Sequence, residues 1–300
     1  MTVTDGTRHA DHVVSALEVM ATSARLNALF SEVLLNGWHR WGMPASDLPE
    51  ILVAAQADPA AAANAAHRVA PYLAGGDSSF AAAYAGARAA KFDAFAELIG
   101  PYVRHGLVCD VGAGDTQLIS RLETAAGERY LATDVVGVPD VSADRRLSFV
   151  LQPAADRLPV PDATATTVLA TGMLHHMDAP TRSRLLTDIR RCLRPDGVLV
   201  LLEETFPAEP WESRSPVDER FQALPDAERR AFLALTDWWG NRVMKNLPAV
   251  PLPCTFLDLA GWEVLLPKAG LAVRTVDYLG VVDCHGHMAT PRALIVAEPV

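Results

Sequence analysis

The sequence lacks the features that mark several large classes of protein. It has no run of about 18 apolar residues, so no membrane-spanning segment is expected. The N-terminal residues 1–12 have no apolar stretch of the kind found in signal peptides. No segment rich in lysine and arginine is present, and the formal net charge is −10. Because nucleic-acid binders neutralise phosphates with basic side chains, this charge argues against nucleic acid as a partner.

Cysteine is scarce and dispersed. The four cysteines are far apart and include no C-x-x-C pair: Cys109, Cys192, Cys254 and Cys284. A disulfide framework or a zinc ribbon is therefore not expected, and the pattern is typical of reduced thiols in a cytoplasmic protein. The sequence also has no internal repeat. Half of its residues are hydrophobic, which is enough for a sizeable core.

The chain changes character near residue 100. Before it, apolar residues recur at helical spacing and no strand is predicted. After it, short apolar runs alternate with turns and helical patterns, which predicts an α/β fold with a parallel sheet covered on both faces. The predicted strands are "GLVCDVG", "RYLATDVV", "RLSFVLQPA", "TATTVLATGML" and "VLVLLEE", and the predicted helices include "QLISRLETAAG" after the first strand. Residues 205–250 form a mainly helical insert, and "LAVRTVDYLGVV" with "RALIVAEPV" predicts a final antiparallel hairpin.

The stretch "VCDVGAGDTQL", residues 108–118, predicts a ligand site. Gly112 and Gly114 follow an apolar strand, and glycine allows a tight turn and close backbone approach to a ligand. Asp134 ends the next predicted strand, 20 residues after Gly114, where an acid can accept hydrogen bonds from ribose hydroxyls. Gln117 stands where the G-x-G-x-x-G pattern of dinucleotide-binding proteins has its third glycine, so that pattern is not matched. Asp110 adds negative charge beside the turn, which suits a cationic ligand better than a pyrophosphate.

Four segments occur together in an order and spacing that resemble one enzyme family: "DVGAGDT", "ATDVV", "ADRLPVPDATATTVLATGMLHHM" and "RCLRPDGVLVLLEE". Over residues 85–205 the chain resembles the class I S-adenosylmethionine (SAM)-dependent methyltransferases of the small-molecule type. The resemblance implies a Rossmann-like fold with a seven-stranded, mostly parallel sheet and an antiparallel last strand. It also implies SAM as cofactor, bound by a SAM-binding domain at 101–300, with residues 1–100 as a helical lid or dimerisation region.

The resemblance also assigns cofactor contacts to particular residues. It implies that Asp110, Gly112 and Gly114 lie near the methionine part of SAM, that Asp134 contacts the ribose, and that Ala155 and Asp156 flank the adenine. Thr171 begins a segment, ending at His176, that is implied to lie at the methyl-transfer site. The chain departs from the family at two positions, since Thr116 replaces a third glycine and Ala154 stands where an acid is frequent.

Histidines cluster in the segments expected at the carboxyl edge of the sheet. Four of them are candidate bases for activating a methyl acceptor, together with the acid Glu203: His175, His176, His285 and His287. Alternatively, Asp283, His285, His287 and His176 could hold a divalent or ferric metal, as in a metal-assisted C-methyltransferase of a 2-oxo acid. Glu203 could instead pair with a neighbouring basic group.

Other residues are candidates for binding the acceptor. Trp238 and Trp239 could wall an apolar pocket or hold the insert on the core, and Arg242 could meet an anion or lie on a solvated face. Tyr84 and Arg88 lie one helical turn apart just before the first strand, and Asp283 lies in the hairpin loop. The competing role for the N-terminal helices is formation of a homodimer.

These observations favour a SAM-dependent methyltransferase of a small molecule, with specialised metabolism as one setting and with oxygen, nitrogen and carbon all open as the methylated atom. Three alternatives stand beside it. A nucleic-acid or protein methyltransferase is disfavoured by the net charge and by "TGMLHHM" after the fourth strand. An NAD-dependent dehydrogenase is disfavoured by the missing glycine and the terminal hairpin. A non-catalytic SAM-binding protein would be excluded by turnover of SAM.

Overall fold

The computed structural model describes residues 6–42, 47–56, 66–70, 79–122, 129–136, 146–282 and 289–300. Its helices are α1 (Gly6–Thr22), α2 (Ala24–Arg40), α3 (Asp47–Gln56), α4 (Ser79–Ile99), α5 (Ala179–Cys192), α6 (Pro216–Gln222), α7 (Asp226–Trp238) and α8 (Leu259–Lys268). Its strands are β1 (Leu107–Val111), β2 (Arg129–Asp134), β3 (Leu147–Leu151), β4 (Ala165–Thr171), β5 (Leu193–Glu204), β6 (Leu271–Val282) and β7 (Thr290–Pro299).

The chain packs as two compact units. The first unit comprises Met1–Lys91, Ala208–Phe256 and Gly280–Pro291. The second unit comprises Phe92–Pro207, Leu257–Leu279 and Arg292–Val300. Packing therefore groups the insert with the N-terminal helices, and the functional domains 1–100 and 101–300 remain a prediction.

The first unit is built mainly from helices, and α2 shows how one of them buries an apolar face. In α2 the side chains of Leu26, Phe30 and Trp38 are fully buried. The hydroxyl of Ser23 caps the helix by accepting a hydrogen bond from the Leu26 N–H at 3.2 Å. The ring of Phe30 meets that of Phe232 in α7 edge to face, with centroids 6.3 Å apart. No single helix in the described ranges is long and apolar enough to cross a membrane. The last ten residues of α1 and the whole of α2 together have sufficient length and hydropathy, but the two helices are bent by 112° at the break between them.

The second unit contains the seven-stranded sheet, in the order β3-β2-β1-β4-β5-β7-β6. Neighbouring strands from β3 to β5 are parallel, and β7 runs antiparallel to β5. Six of the seven residues of β4 are buried, as expected for a central strand whose two faces are both covered. The predicted fold class and the antiparallel last strand are confirmed.

Two local predictions are wrong in the second unit. The helix predicted from Gln117 onward is, up to residue 122, only a 3₁₀ turn at Ile119–Arg121; residues 123–128 lie outside the described ranges. Thr116, directly before this segment, has a left-handed φ of 62°. The segment "RPDG", predicted as a turn, belongs to β5, where the pairing with β4 shifts register between Ala165 and Thr167.

Candidate functional site

The glycine turn follows β1 at the carboxyl edge of the sheet, as the sequence predicts. Gly112 and Gly114 have φ values of 68° and 54°, in the left-handed region that glycine adopts without strain. The N–H groups of Gly112 and Ala113 both donate to the carbonyl oxygen of Thr133, at 2.8 and 3.1 Å. A Cβ on Gly112 would lie 2.9 Å from Cγ of Met173, so this position needs glycine for space as well as for φ.

Asp134 lies at the end of β2 and contacts the glycine turn. Its Oδ2 accepts a hydrogen bond from the Gly114 N–H at 3.0 Å, and its Oδ1 accepts one from the Val136 N–H at 3.0 Å. Each carboxylate oxygen has a second lone pair and can accept another hydrogen bond. The structure therefore brings together the acid and the glycines that the sequence analysis placed at one site.

Asp110 is a buried acid at the end of β1, only 2% exposed. Burial first, and the nearby charge of Asp134 second, raise the pKa of Asp110 to about 8. Its carboxyl group is therefore mostly protonated at neutral pH. A cation bound beside it would favour the ionised form and lower this pKa.

The segment after β3 is shaped by a buried glutamine that the sequence analysis did not single out. The side-chain amide of Gln152 donates to the carbonyl oxygens of Ala154 and Ala155, at 2.9 and 3.0 Å. The carboxylate of Asp156 accepts from Nε of Arg184 in α5. The backbone at residues 154–155 is thus held from inside, while the Asp156 carboxylate is engaged in an ion pair.

Glu203, at the end of β5, is fully buried and holds the segment after β4. Its Oε1 accepts from the N–H groups of Met173 and Leu174, at 2.8 and 2.7 Å, and its Oε2 lies 2.8 Å from Nδ1 of His175. Burial raises the pKa of Glu203, but the interaction with His175 and these hydrogen bonds outweigh it and leave the pKa below its ordinary value. The ionised carboxylate thus favours a proton on Nδ1, which leaves Nε2 of neutral His175 as an acceptor. The ring of His176 lies 4.2 Å from that of His175.

The next residue of β5 forms a second buried pair, which the sequence analysis missed. Nη2 of Arg292, the third residue of β7, donates to Oε1 of Glu204 at 2.7 Å, and the two residues are direct partners in the antiparallel pairing. Arg292 is 8% exposed, and its Cζ lies 5.4 Å from the ring centroid of Phe95. A signal was present in the sequence, since an arginine in an otherwise apolar strand needs a buried partner.

The predicted acceptor-binding residues that the structure describes lie in the first unit. The ring of Tyr84 packs edge to face on Trp41 at 5.1 Å; burial raises the pKa of Tyr84, and Arg88 opposes this in part. Trp238 and Trp239 are buried, with ring centroids 6.2 Å apart. Arg242 donates to the carbonyl oxygens of residues 247 and 250, so it holds a loop. The predicted residues Asp283, His285 and His287 lie outside the described ranges.

Comparisons with known proteins fit this geometry. A family described as "Methyltransferase domain" matches residues 109–201, which run from β1 into β5. No curated protein matches the chain in sequence.

Solved structures resemble the chain at low identity. A protein from Haloferax volcanii, solved with the methyltransferase activator Trm112, is 16% identical with a TM-score of 0.48, covering 71% of this chain and 90% of that one. The 1,6-didemethyltoxoflavin-N1-methyltransferase of Burkholderia thailandensis is 19% identical with a TM-score of 0.45, covering 81% and 89%. The geranyl diphosphate C-methyltransferase of Streptomyces coelicolor is 11% identical with a TM-score of 0.47, covering 69% and 80%.

Because these identities and TM-scores are low, the assignment rests on the match of residues 109–201 and on the arrangement of the sheet. Residues 109–201 therefore match a methyltransferase domain, carried on a seven-stranded, mostly parallel sheet.

Proposed function

We propose that the protein transfers the methyl group of SAM to a small-molecule acceptor. The observation that carries the proposal is the turn at the end of β1, where Gly112 and Gly114 approach the Asp134 carboxylate inside the matched domain. When bound, SAM supplies an electrophilic methyl group on a sulfonium cation. The oxygen, nitrogen or carbon that accepts it stays open.

The residues at this edge fit such a ligand. Asp110 is a buried acid whose raised pKa would be relieved by a cation. A Cβ on Gly114 would meet no other atom within 4 Å, so there is open space directly above the turn. We assign the methionine end of the ligand to Asp110 and the two glycines, and its ribose hydroxyls to the free lone pairs of Asp134.

The adenine contacts are proposed for the segment held by Gln152. The Gln152 side-chain amide already donates hydrogen bonds to the carbonyl oxygens of residues 154 and 155. The Asp156 carboxylate is paired with Arg184, so we assign it a supporting role and assign the adenine amino group to a backbone acceptor near Ala155. Thr171 remains the proposed contact at the end of β4.

The acid–base role is proposed for His175, with Glu203 as the residue that positions it. Both oxygens of Glu203 already accept hydrogen bonds: Oε1 from the backbone after β4, and Oε2 from the Glu204 N–H beside its contact with His175. In this proposal Glu203 therefore positions His175 and does not contact the acceptor. Nε2 of His175 would take the acceptor's proton, and the Glu203 carboxylate would stabilise the imidazolium that forms. His176 is the alternative base.

Calorimetry of the purified protein with SAM and with S-adenosylhomocysteine (SAH) tests cofactor binding. Asp134→Ala should weaken SAM binding by about 1–3 kcal/mol through lost hydrogen bonds, while Asp115→Ala, which removes an exposed acid of the same turn, should not. Absence of SAM binding, or binding of NAD in its place, would refute the cofactor assignment.

Turnover is tested separately. The protein is incubated with SAM labelled on the methyl group and a fraction of small metabolites, and label in the products is counted. His175→Gln should abolish transfer while SAM binding persists. A protein that binds SAM but labels nothing in any such fraction would be a non-catalytic SAM-binding protein instead.

A further inference from the structure

One edge of the sheet lacks the protection that edge strands usually carry. The sheet ends in β3 on one side and in β6 on the other. β6 contains the charged residues Arg274 and Asp277 and, near its end, Gly280 with a left-handed φ of 77°. β3 has the sequence LSFVL, with no charged residue, proline or glycine. Because charges, prolines and irregular backbone keep an edge strand from pairing with another chain, β3 is the edge that is open to pairing.

The hydrogen bonds between β3 and β2 fix which backbone groups of β3 point away from the sheet. The N–H of Tyr130 donates to the carbonyl oxygen of Arg146 at 2.8 Å. At the other end of the pair, the N–H of Gln152 donates to the carbonyl oxygen of Asp134 at 2.8 Å. In a parallel pair, alternate residues face the neighbouring strand, so the even-numbered residues of β3 bond to β2 and the odd-numbered ones face outward. Among the residues that the structure describes, no hydrogen-bond partner is found for the outward backbone groups of Leu147, Phe149 and Leu151.

Exposed apolar side chains lie at the same corner of the sheet. Val150 and Leu151, at the end of β3, are 40% and 54% exposed. Val135 and Val136, directly after β2, are 47% and 65% exposed. Leu151 pairs with Asp134, the last residue of β2, so the four side chains follow neighbouring strand ends. An exposed apolar patch beside an unpaired strand edge is typical of a surface that associates with another chain.

The spacing of the outward groups makes β3 complementary to itself. We propose that β3 pairs antiparallel with β3 of a second copy of this chain, around a two-fold axis at Phe149. Phe149 then lies opposite Phe149 of the second copy, and Leu147 lies opposite Leu151. All three residues face outward in both copies, so every outward N–H and C=O group of β3 gains a partner. The two-fold axis also closes the assembly at two chains.

Charges at the two ends of the strand pair favour the antiparallel arrangement. The exposed residues Arg129 and Arg146 lie at the amino ends of β2 and β3, whereas the Asp134 carboxylate lies at the carboxyl end of β2. Antiparallel pairing brings the basic end of one copy beside the acidic end of the other, and the two-fold axis repeats this attraction. A parallel arrangement would place like charges together. The attraction acts across two strand spacings, about 10 Å, which is close to the Debye length at about 0.1 M ionic strength, so it should weaken as salt is raised.

Sedimentation velocity of the full chain tests for this dimer. One strand pair is a small interface, so the wild type should pass reversibly from monomer to dimer in the micromolar range. Leu151→Pro removes an outward N–H but leaves the hydrogen bonds of β3 to β2. It should weaken the dimer about tenfold or more, because the two-fold axis loses this hydrogen bond twice. The matched control is Leu151→Val, which trims the same side chain but keeps the N–H, and it should dimerise nearly as well as the wild type.

Amide hydrogen exchange of the wild type tests the pairing without any variant. Exchange is read residue by residue by mass spectrometry, at protein concentrations well below and well above the dissociation constant. The outward amides should exchange more slowly at the higher concentration; they are those of Leu147, Phe149 and Leu151. The N–H groups of Ser148 and Val150 face β2, so their exchange should not depend on concentration, and neither should that of the amides of β6.

Several results would overturn the proposal. One is a chain that stays monomeric at all concentrations, and another is a dimer that Leu151→Pro leaves unchanged. Slow exchange of the outward amides at every concentration would also overturn it, because the edge would then be covered within a single chain. A dimer that does not weaken as salt is raised would contradict the antiparallel arrangement of charges. These measurements need no SAM, so their outcome is independent of the proposed function.

Discussion

The buried carboxyl group of Asp110 should make the free energy of unfolding depend on pH. Its pKa in the folded protein is about 8, against an ordinary value of 3.8. Between these two values the folded state holds a proton that the unfolded state has released. Stability from this group is therefore complete below pH 3.8 and is lost as the pH rises toward 8, at up to about 1.4 kcal/mol per pH unit.

Asp110→Asn removes this dependence while keeping the size and shape of the side chain. The free energy of unfolding of the variant, minus that of the wild type, should increase by about 4 kcal/mol between pH 5 and pH 8, because each unit contributes about 1.4 kcal/mol. Asn at this site should be of similar stability to the protonated acid at pH 5. Above pH 8 it should be clearly more stable than the ionised acid.

Urea denaturation of both proteins at pH 5, 6, 7 and 8, without ligand, measures this difference. Asp115→Asn is the matched control, because it removes an exposed carboxylate from the same turn. The change between pH 5 and pH 8 should be clearly larger for Asp110→Asn than for this control. If the difference in free energy of unfolding between Asp110→Asn and the wild type did not change from pH 5 to pH 8, Asp110 would be ionised in the folded protein. The argument that the end of β1 favours a cationic ligand would then fail.

Three further predictions concern the same edge of the sheet. SAM binding at pH 7 should release up to one proton from Asp110, measured by calorimetry in two buffers of different ionisation enthalpy; SAH, which has no sulfonium charge, should release less, and equal release would contradict the assignment. Glu203→Gln should lower the free energy of unfolding by about 3–5 kcal/mol, because it breaks a buried pair with His175; a loss within 1 kcal/mol of zero would contradict the pairing. Gly112→Ala should destabilise more than Gly114→Ala in thermal unfolding: both sustain about 1–2 kcal/mol of left-handed strain, but only the first meets a methionine side chain.

The parts of the fold that follow from local patterns were predictable from the sequence. Apolar runs of strand length located the sheet, and the absence of a helix between the last two strands indicated the antiparallel end. The approach of Asp134 to Gly114 was predictable because both follow neighbouring parallel strands. The 3₁₀ turn at Ile119–Arg121 was not, because the apolar periodicity of residues 117–127 does not distinguish a single turn from a longer helix.

The buried ion pairs could not be derived from spacing. Arg292 and Glu204 are 88 residues apart in sequence, and they meet because β7 inserts between β5 and β6. The sequence analysis offered Glu203 as a catalytic acid or as the partner of a basic group, but its hydrogen bonds to the backbone of Met173 and Leu174 depend on how the chain leaves β4. Such contacts depend on strand order, which single-residue patterns do not determine.

The two buried acids at this edge show how the fold separates their roles. Glu203 and Asp110 are equally removed from water, yet their pKa values shift in opposite directions. Glu203 receives backbone N–H groups and His175, so its negative charge is compensated within the protein. Asp110 instead has Asp134 as its charged neighbour, and this raises its pKa further. Because Asp134 is the only charged group that shifts the pKa of Asp110 among the described residues, a cationic ligand at the end of β1 gains by compensating this acid. Glu203, by contrast, is compensated within the protein and serves to orient a histidine.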